Sequence, residues 1–208
     1  MSKYEKSVSF NTSSVNFENM LTQGEELIWS SKPKKSAFII NKSLTMLPIA
    51  LIWLLFDSTF IVAMFSSNMP KGSLFFIIPF FALHLMPVWI WLSNVLTAKK
   101  RWDNTQYAVT NKRIIINTGF IGMDYQTIYY KDIKNVNLKV GVIDKLLGVG
   151  DIHFTLNQGT SQSFLDIENA YEIYPKLQKV VLDIQTDIEF PNDLRPDENH
   201  GYNTNYKG

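Results

Sequence analysis

Cysteine is absent from the sequence. That absence excludes disulfides, thiolate catalysis and cysteine-ligated zinc or iron–sulfur centres, and it suits a reducing, cytoplasmic face. An excess of charge of one sign is missing as well. Lys and Arg number 20 against 19 Asp and Glu, a net charge of +1, so no overall field draws the chain to nucleic acid. Histidine is scarce: His84, His153 and His200 are all there are. His200 falls in a polar tail, and alternation turns His153 to the solvent side of its strand. Neither has a partner at ligand spacing, and no HExxH, GxSxG or carboxylate dyad occurs. No catalytic residue, metal, cofactor or small-molecule substrate is therefore expected, and the chain reads as non-enzymatic. A secretory leader is also lacking, because Met1 to Lys42 is polar and the first apolar run begins too late.

Apolar length is what the chain has in quantity. Leu44–Ser66 and Ser73–Ala98 each reach the roughly 20 residues that cross a bilayer core as a helix. Backbone groups in lipid must bond within their own segment, so two spans form a helical hairpin. The piece Leu47 to Phe56 is apolar all round, unlike the striped helix of a soluble core. Lys32, Lys34, Lys35 and Lys42 precede the first run, and Lys99, Lys100 and Arg101 follow the second. The loop between them offers only Lys71. The positive-inside rule then places both termini in the cytoplasm, with Trp89, Trp91 and Trp102 in the aromatic belt. Pro79 and Pro87 predict tilt or a kink in the second span.

The rest divides by composition. Residues 1–23, rich in Ser, Asn and Lys, predict a disordered arm, and 188–208 a disordered tail. Residues 24–43 form a cytoplasmic pre-membrane segment, in which Glu25 to Trp29 could dock on the membrane or on the later domain. The hairpin occupies 44–98, and a soluble domain 99–187. From Gln106 onward, short β-type segments alternate with turn signals: Tyr107–Val109, Ile114–Ile116, then Ile121, Met123, Tyr125, Thr127 and Tyr129 on one face at period two. Val136 to Val140, Ile152 to Leu156 and Ser161 to Leu165 follow. Val142 to Leu147 predicts one helical turn ending at Gly148. Ile167, Tyr171, Tyr174, Leu177, Val181 and Ile184 recur at steps of three and four, one face of a helix capped by Asn169 and bent at Pro175. About six antiparallel strands covered by a C-terminal helix make an α+β domain.

Three ordered stretches carry a family resemblance. They are Tyr107-Ala-Val-Thr-Asn-Lys-Arg-Ile-Ile-Ile116 with Gly119, Asp132-Ile-Lys-Asn-Val136, and Leu146-Leu-Gly-Val-Gly-Asp-Ile152. With the upstream Gly24-Glu-Glu-Leu-Ile-Trp29 and the two apolar runs, they resemble the bacterial PH-like membrane proteins of the YdbS-like family over Gly24 to Ile184. The resemblance implies a seven-stranded PH-like barrel or sandwich closed by the C-terminal helix, one strand more than the pattern itself shows. It implies little about function, since fold does not fix function.

Several residues stand out as candidates. Lys112 and Arg113 could contact an anion or lipid headgroup, or Arg113 could shape the first hairpin by pairing with a carboxylate such as Asp132. Ile114 to Asn117 occupy the places where inositol-phosphate-binding PH domains carry further cations. Gly148-Val-Gly150 is no phosphate loop, because no Lys with Ser or Thr follows it. Lys99, Lys100 and Arg101 sit at headgroup level, each attracted to anionic lipid by about 1 kcal/mol. Over Lys99 to Asp187, eleven cations face ten anions, so the domain as a whole has no strong pull to lipid. Asp57 and His84 are ionisable residues inside the spans, where such groups are costly and face a partner. Counted from a turn near Met69, their depths differ by about one helical turn, close enough to pair across the hairpin. The leading expectation is a membrane-tethered interaction or scaffolding module that binds a protein segment, itself or a lipid surface. The second is a subunit of an oligomeric transport or permeability system using Asp57 and His84. The third is an accessory subunit of a membrane enzyme. A scaffold would tolerate an unrelated hairpin in place of its spans, whereas a channel would not.

Overall fold

The computed structural model describes Phe17, residues 20–67 and 70–189, and two short strands, Glu198–Asn199 and Thr204–Asn205, that pair with each other. The expected disordered arm and tail otherwise lie outside the described residues. Phe17 and Met20, within the stretch expected to be mobile, pack against Leu27, Ala108 and Ile115. The chain forms two units, Phe38–Trp102 and the remainder.

Four helices supply the first unit: α1 (Lys35–Leu44), α2 (Leu47–Ser66), α3 (Leu74–His84) and α4 (Met86–Asp103). The first apolar run starts as a helix at Leu47 rather than Leu44. Pro48 occupies the opening turn of α2, where a missing N–H costs nothing. The second run is broken, as its prolines predict, but at one place only. The helix passes through Pro79 and bends by 55° at Leu85. Pro87 follows that break, and it lacks the N–H that would have bonded the Leu83 carbonyl. By length and composition one helix, Lys35–Ser66, could cross a membrane, or two segments if the bent pair counts as one span. Only 11% of the apolar window of the first is buried.

In the second unit, β-branched and aromatic residues at period two build two antiparallel sheets. One runs β1 (Leu27–Ser31), β2 (Gln106–Thr110), β3 (Arg113–Thr118) and β4 (Asp124–Tyr129) in that spatial order. The other is β5 (Ile133–Lys139), β6 (Val149–Leu156) and β7 (Ser161–Glu168). A short helix α5 (Val142–Leu147) joins β5 to β6 and ends at Gly148 in the left-handed region, φ 68°, which favours glycine. Helix α6 (Ala170–Glu189) follows β7 and runs on through Pro175.

Seven strands, then, not six. The seventh is β1, from the Glu25–Trp29 piece upstream of the helices. It pairs with β2, and a bulge between Leu27 and Trp29 sets two residues against one, so that Ile28 and Trp29 are both buried. Trp29, Tyr107 and Phe154 gather round Phe164 at centroid distances of 5.7, 4.6 and 4.9 Å. Leu177, Val180, Val181 and Ile184 of α6 complete this core. Tyr171, expected on the same helical face, is instead exposed, while Tyr174 reaches inward to donate to the Val136 carbonyl at 3.1 Å.

Tyr125, Thr127 and Tyr129 share one face of β4, and it is the outer one. Ile121 and Met123 lie in the turn before β4. With Tyr125 and Tyr129 they are exposed, and the residue β4 turns inward is Ile128, opposite Ile114. The turn needs Gly119: its φ is 155°, and a Cβ there would overlap the Gly122 carbonyl.

Candidate functional site

The Thr110–Arg113 corner between β2 and β3 is the most densely bonded polar feature of the β unit. Arg113 donates from Nε to Glu25 Oε1 at 2.9 Å, and from Nη2 to Glu25 Oε2 at 3.2 Å and the Met20 carbonyl at 2.9 Å. Thr110 Oγ1 donates to Glu25 Oε1 at 2.8 Å. Lys112 Nζ donates to the Gln23 carbonyl at 2.6 Å, and Asn111 brackets the strand by accepting from Glu26 N–H and donating to the Gly24 carbonyl. The expected Arg113–Asp132 pair is thus replaced by Arg113–Glu25. The corner clamps the strand that leads into β1. Lys112 and Arg113, candidates for an external anion, are engaged within the protein.

Electrostatics follow from this geometry. Burial by itself would raise the Glu25 carboxyl. Bonds from Arg113, from the N–H and hydroxyl of Thr22, and from Thr110 together outweigh it and hold the group at about 2. Its side chain has no exposed surface. The sequence signal for this partner was the Gly24-Glu-Glu motif preceding the Thr-Asn-Lys-Arg corner, but 88 residues separate Glu25 from Arg113, and no local pattern links them.

The other candidates stand apart. Lys99 and Lys100 are exposed in the last turn of α4, and Arg101 bonds Thr97 Oγ1 at 3.3 Å; cations there also suit the helix dipole. Asp57 of α2 and His84 of α3 are brought together, with His84 Nδ1 at 2.9 Å from Oδ1 and 3.1 Å from Oδ2. The Asp57 side chain is 1% exposed and that of His84 30%. Trp53 Nε1 donates to the His84 carbonyl at 2.7 Å.

His153, expected to face solvent, is half-buried and shares a 2.6 Å bond between Nδ1 and Ser163 Oγ. Gly150 admits the close approach of Ala170, Val140 and Leu138, a packing role. Burial raises Tyr107, whose hydroxyl accepts the Leu165 N–H, and burial raises Asp151, which accepts the Asp166 N–H. Each of these groups serves the backbone. Among the described residues no three His, Cys, Asp or Glu are placed to hold a metal ion.

An exposed sheet edge or groove was expected to receive a partner, but sequence reasoning did not say which edge. Strand β4 ends the order β1-β2-β3-β4, so among the described residues no strand pairs with its outer side. Met123, Tyr125 and Tyr129 are exposed along it. A free sheet edge beside apolar and aromatic side chains is a surface for an added strand.

Two antiparallel sheets with a C-terminal helix packed on them define an α+β domain. The bacterial PH domain family matches residues 45–181, more than half of the chain, and the chain belongs to that family. PH domains are in general non-catalytic interaction modules. No curated protein and no solved structure matches the chain.

Proposed function

We propose that the protein is a membrane-tethered, non-enzymatic interaction module on the cytoplasmic face of a bacterial inner membrane. Its helices α2 to α4 form a two-span hairpin, with both termini inside, and its β unit receives an extended segment of a partner protein along β4. The tether is supported by exposure of apolar bulk: Leu55, Val62, Phe65, Phe75, Phe76 and Leu83 each leave more than 60% of their surface uncovered. Water does not tolerate so large an apolar surface. The family match, residues 45–181, takes in both apolar runs from Thr45 on together with β2 to β7.

The single observation that carries the partner reading is the unpaired β4 edge with its Met123, Tyr125 and Tyr129 side chains. Main-chain groups on that edge would supply affinity, and alternate side chains specificity. A protein segment is favoured over lipid because Lys112 and Arg113 are already bonded to Gln23, Glu25 and Met20.

The test uses the natural lack of cysteine. A Thr127→Cys variant, labelled with a thiol-linked photocrosslinker in cells, should give a discrete protein adduct that Tyr125→Asp with Tyr129→Asp abolishes. Adducts to lipid alone, or an adduct indifferent to the two tyrosines, would refute the β4 assignment. The transport reading draws on the Asp57–His84 contact and predicts instead that function fails when that pair is replaced.

A further inference from the structure

The Asp57–His84 pair lies at the inner wall of an open cavity of about 500 Å³ in the helical unit, whose rim residues Phe56, Phe60, Phe76 and Phe80 are half or more exposed. Phe56, Phe60, Met64, Phe76, Phe80 and Phe81 line most of the rest, so the walls are apolar and mainly aromatic. That volume falls in the range of small-molecule sites. Phe80 stacks on the His84 ring at 5.2 Å and 18°, and Trp53 lies against it at 5.5 Å. The Asp57 carboxyl takes Nδ1. Nε2 is then the one remaining polar atom of a ring that lines the cavity and is 30% exposed.

An imidazolium paired with the carboxylate, or a neutral imidazole accepting from the carboxylic acid at Nδ1, presents Nε2–H as a donor to the cavity. A water molecule needs two or more polar partners to settle, and these walls give it little beyond the pair itself. A ligand must therefore bring an acceptor on a flat, apolar body.

We propose that this cavity binds a quinone-type compound dissolved in the bilayer, its ring against the phenylalanines and one carbonyl accepting from His84 Nε2–H. The proposal rests on reading α2 and α3 as membrane-embedded. On that reading Asp57, eleventh of the 20 residues of α2, sits about 15 Å from either end, near the bilayer midplane. Ester carbonyls of phospholipids stay at the interface, far from that depth. A carbonyl that reaches His84 belongs to a molecule soluble in hydrocarbon.

The full-length protein in nanodiscs of quinone-free synthetic phosphatidylethanolamine and phosphatidylglycerol would be titrated with a short-tailed ubiquinone. Tryptophan fluorescence is read, Trp53 being beside the site. Saturable quenching is expected. His84→Phe, which keeps an aromatic ring, should weaken it about tenfold, the loss of one hydrogen bond. His84→Gln, which retains an N–H donor, should restore most of it. An analogue with both ring carbonyls replaced by methoxy groups should compete poorly. Linear quenching equal in wild type and His84→Phe, or saturable quenching indifferent to residue 84, would overturn the proposal. So would a dimer whose second copy fills the cavity and shuts the quinone out. Recovery of the protein free of lipid would refute the membrane reading itself, a failure distinct from loss of quinone binding in an inserted protein.

Discussion

At the scale of single residues, the Glu25–Arg113 pair has the largest consequence. Glu25 ionises at an ordinary 4.5 when exposed and at about 2 when folded. Its contribution is therefore complete above pH 4.5 and is lost as pH falls towards 2. The difference corresponds to about 3 kcal/mol at most; water at the partly exposed Arg113 guanidinium reduces it to about 1–2 kcal/mol. Thermal unfolding in detergent, followed by circular dichroism, should show wild type losing stability between pH 4.5 and 2.5. Glu25→Gln should lose much less over that window. Arg113→Ala leaves a covered carboxylate unpaired and should cost about 3 kcal/mol at pH 7. A variant as stable as wild type would refute the clamp. The sequence named Arg113 and its need for a carboxylate, but it pointed to Asp132, the nearer residue in the chain. Pairing over 88 residues is decided by where β1 docks, and no local periodicity encodes that.

At the scale of elements, patterning told strand from helix but not always inside from outside. The spacing of Leu177, Val181 and Ile184 located α6, because a helix covering a core needs one apolar face. The period-two set ending at Tyr129 identified a strand with Tyr125, Thr127 and Tyr129 on one face, but not which face is interior. Alternation states that two faces differ; only the neighbouring strand, here β3 through the Ile114–Ile128 pair, decides which is interior. Both prolines of the second apolar run were visible, yet only the one after Leu85 accompanies a break. The β3–β4 turn depends on Gly119 for positive φ and for clearance from the Gly122 carbonyl. Gly119→Ala should lower stability by about 1–3 kcal/mol, read as a fall in the melting temperature. Gly122→Ala, where a Cβ meets nothing within 4 Å, should leave it nearly unchanged. Equal behaviour of the two would show that the turn carries no strain at Gly119.

At the scale of the whole molecule, the membrane reading makes a prediction about sides. Single cysteines can be placed in this cysteine-free chain at Gly72, between the two apolar runs, and at Ser161, at the start of β7. A membrane-impermeant maleimide applied to spheroplasts should label Gly72→Cys, and Ser161→Cys only after lysis. The opposite pattern would invert the topology, and equal labelling of both would remove the tether. Composition sufficed to place the two apolar runs and the α+β character of the rest. Each of these depends on residue type and short-range period, which the order of the chain carries directly. The tertiary structure alone decided that β1 completes the first sheet, that the basic corner closes on Glu25, that β4 has no strand on its outer side among the described residues, and that Asp57 and His84 line an aromatic cavity. Those features arise where segments distant in sequence meet, and their energy lies in pairing and burial that exist only once the chain has folded.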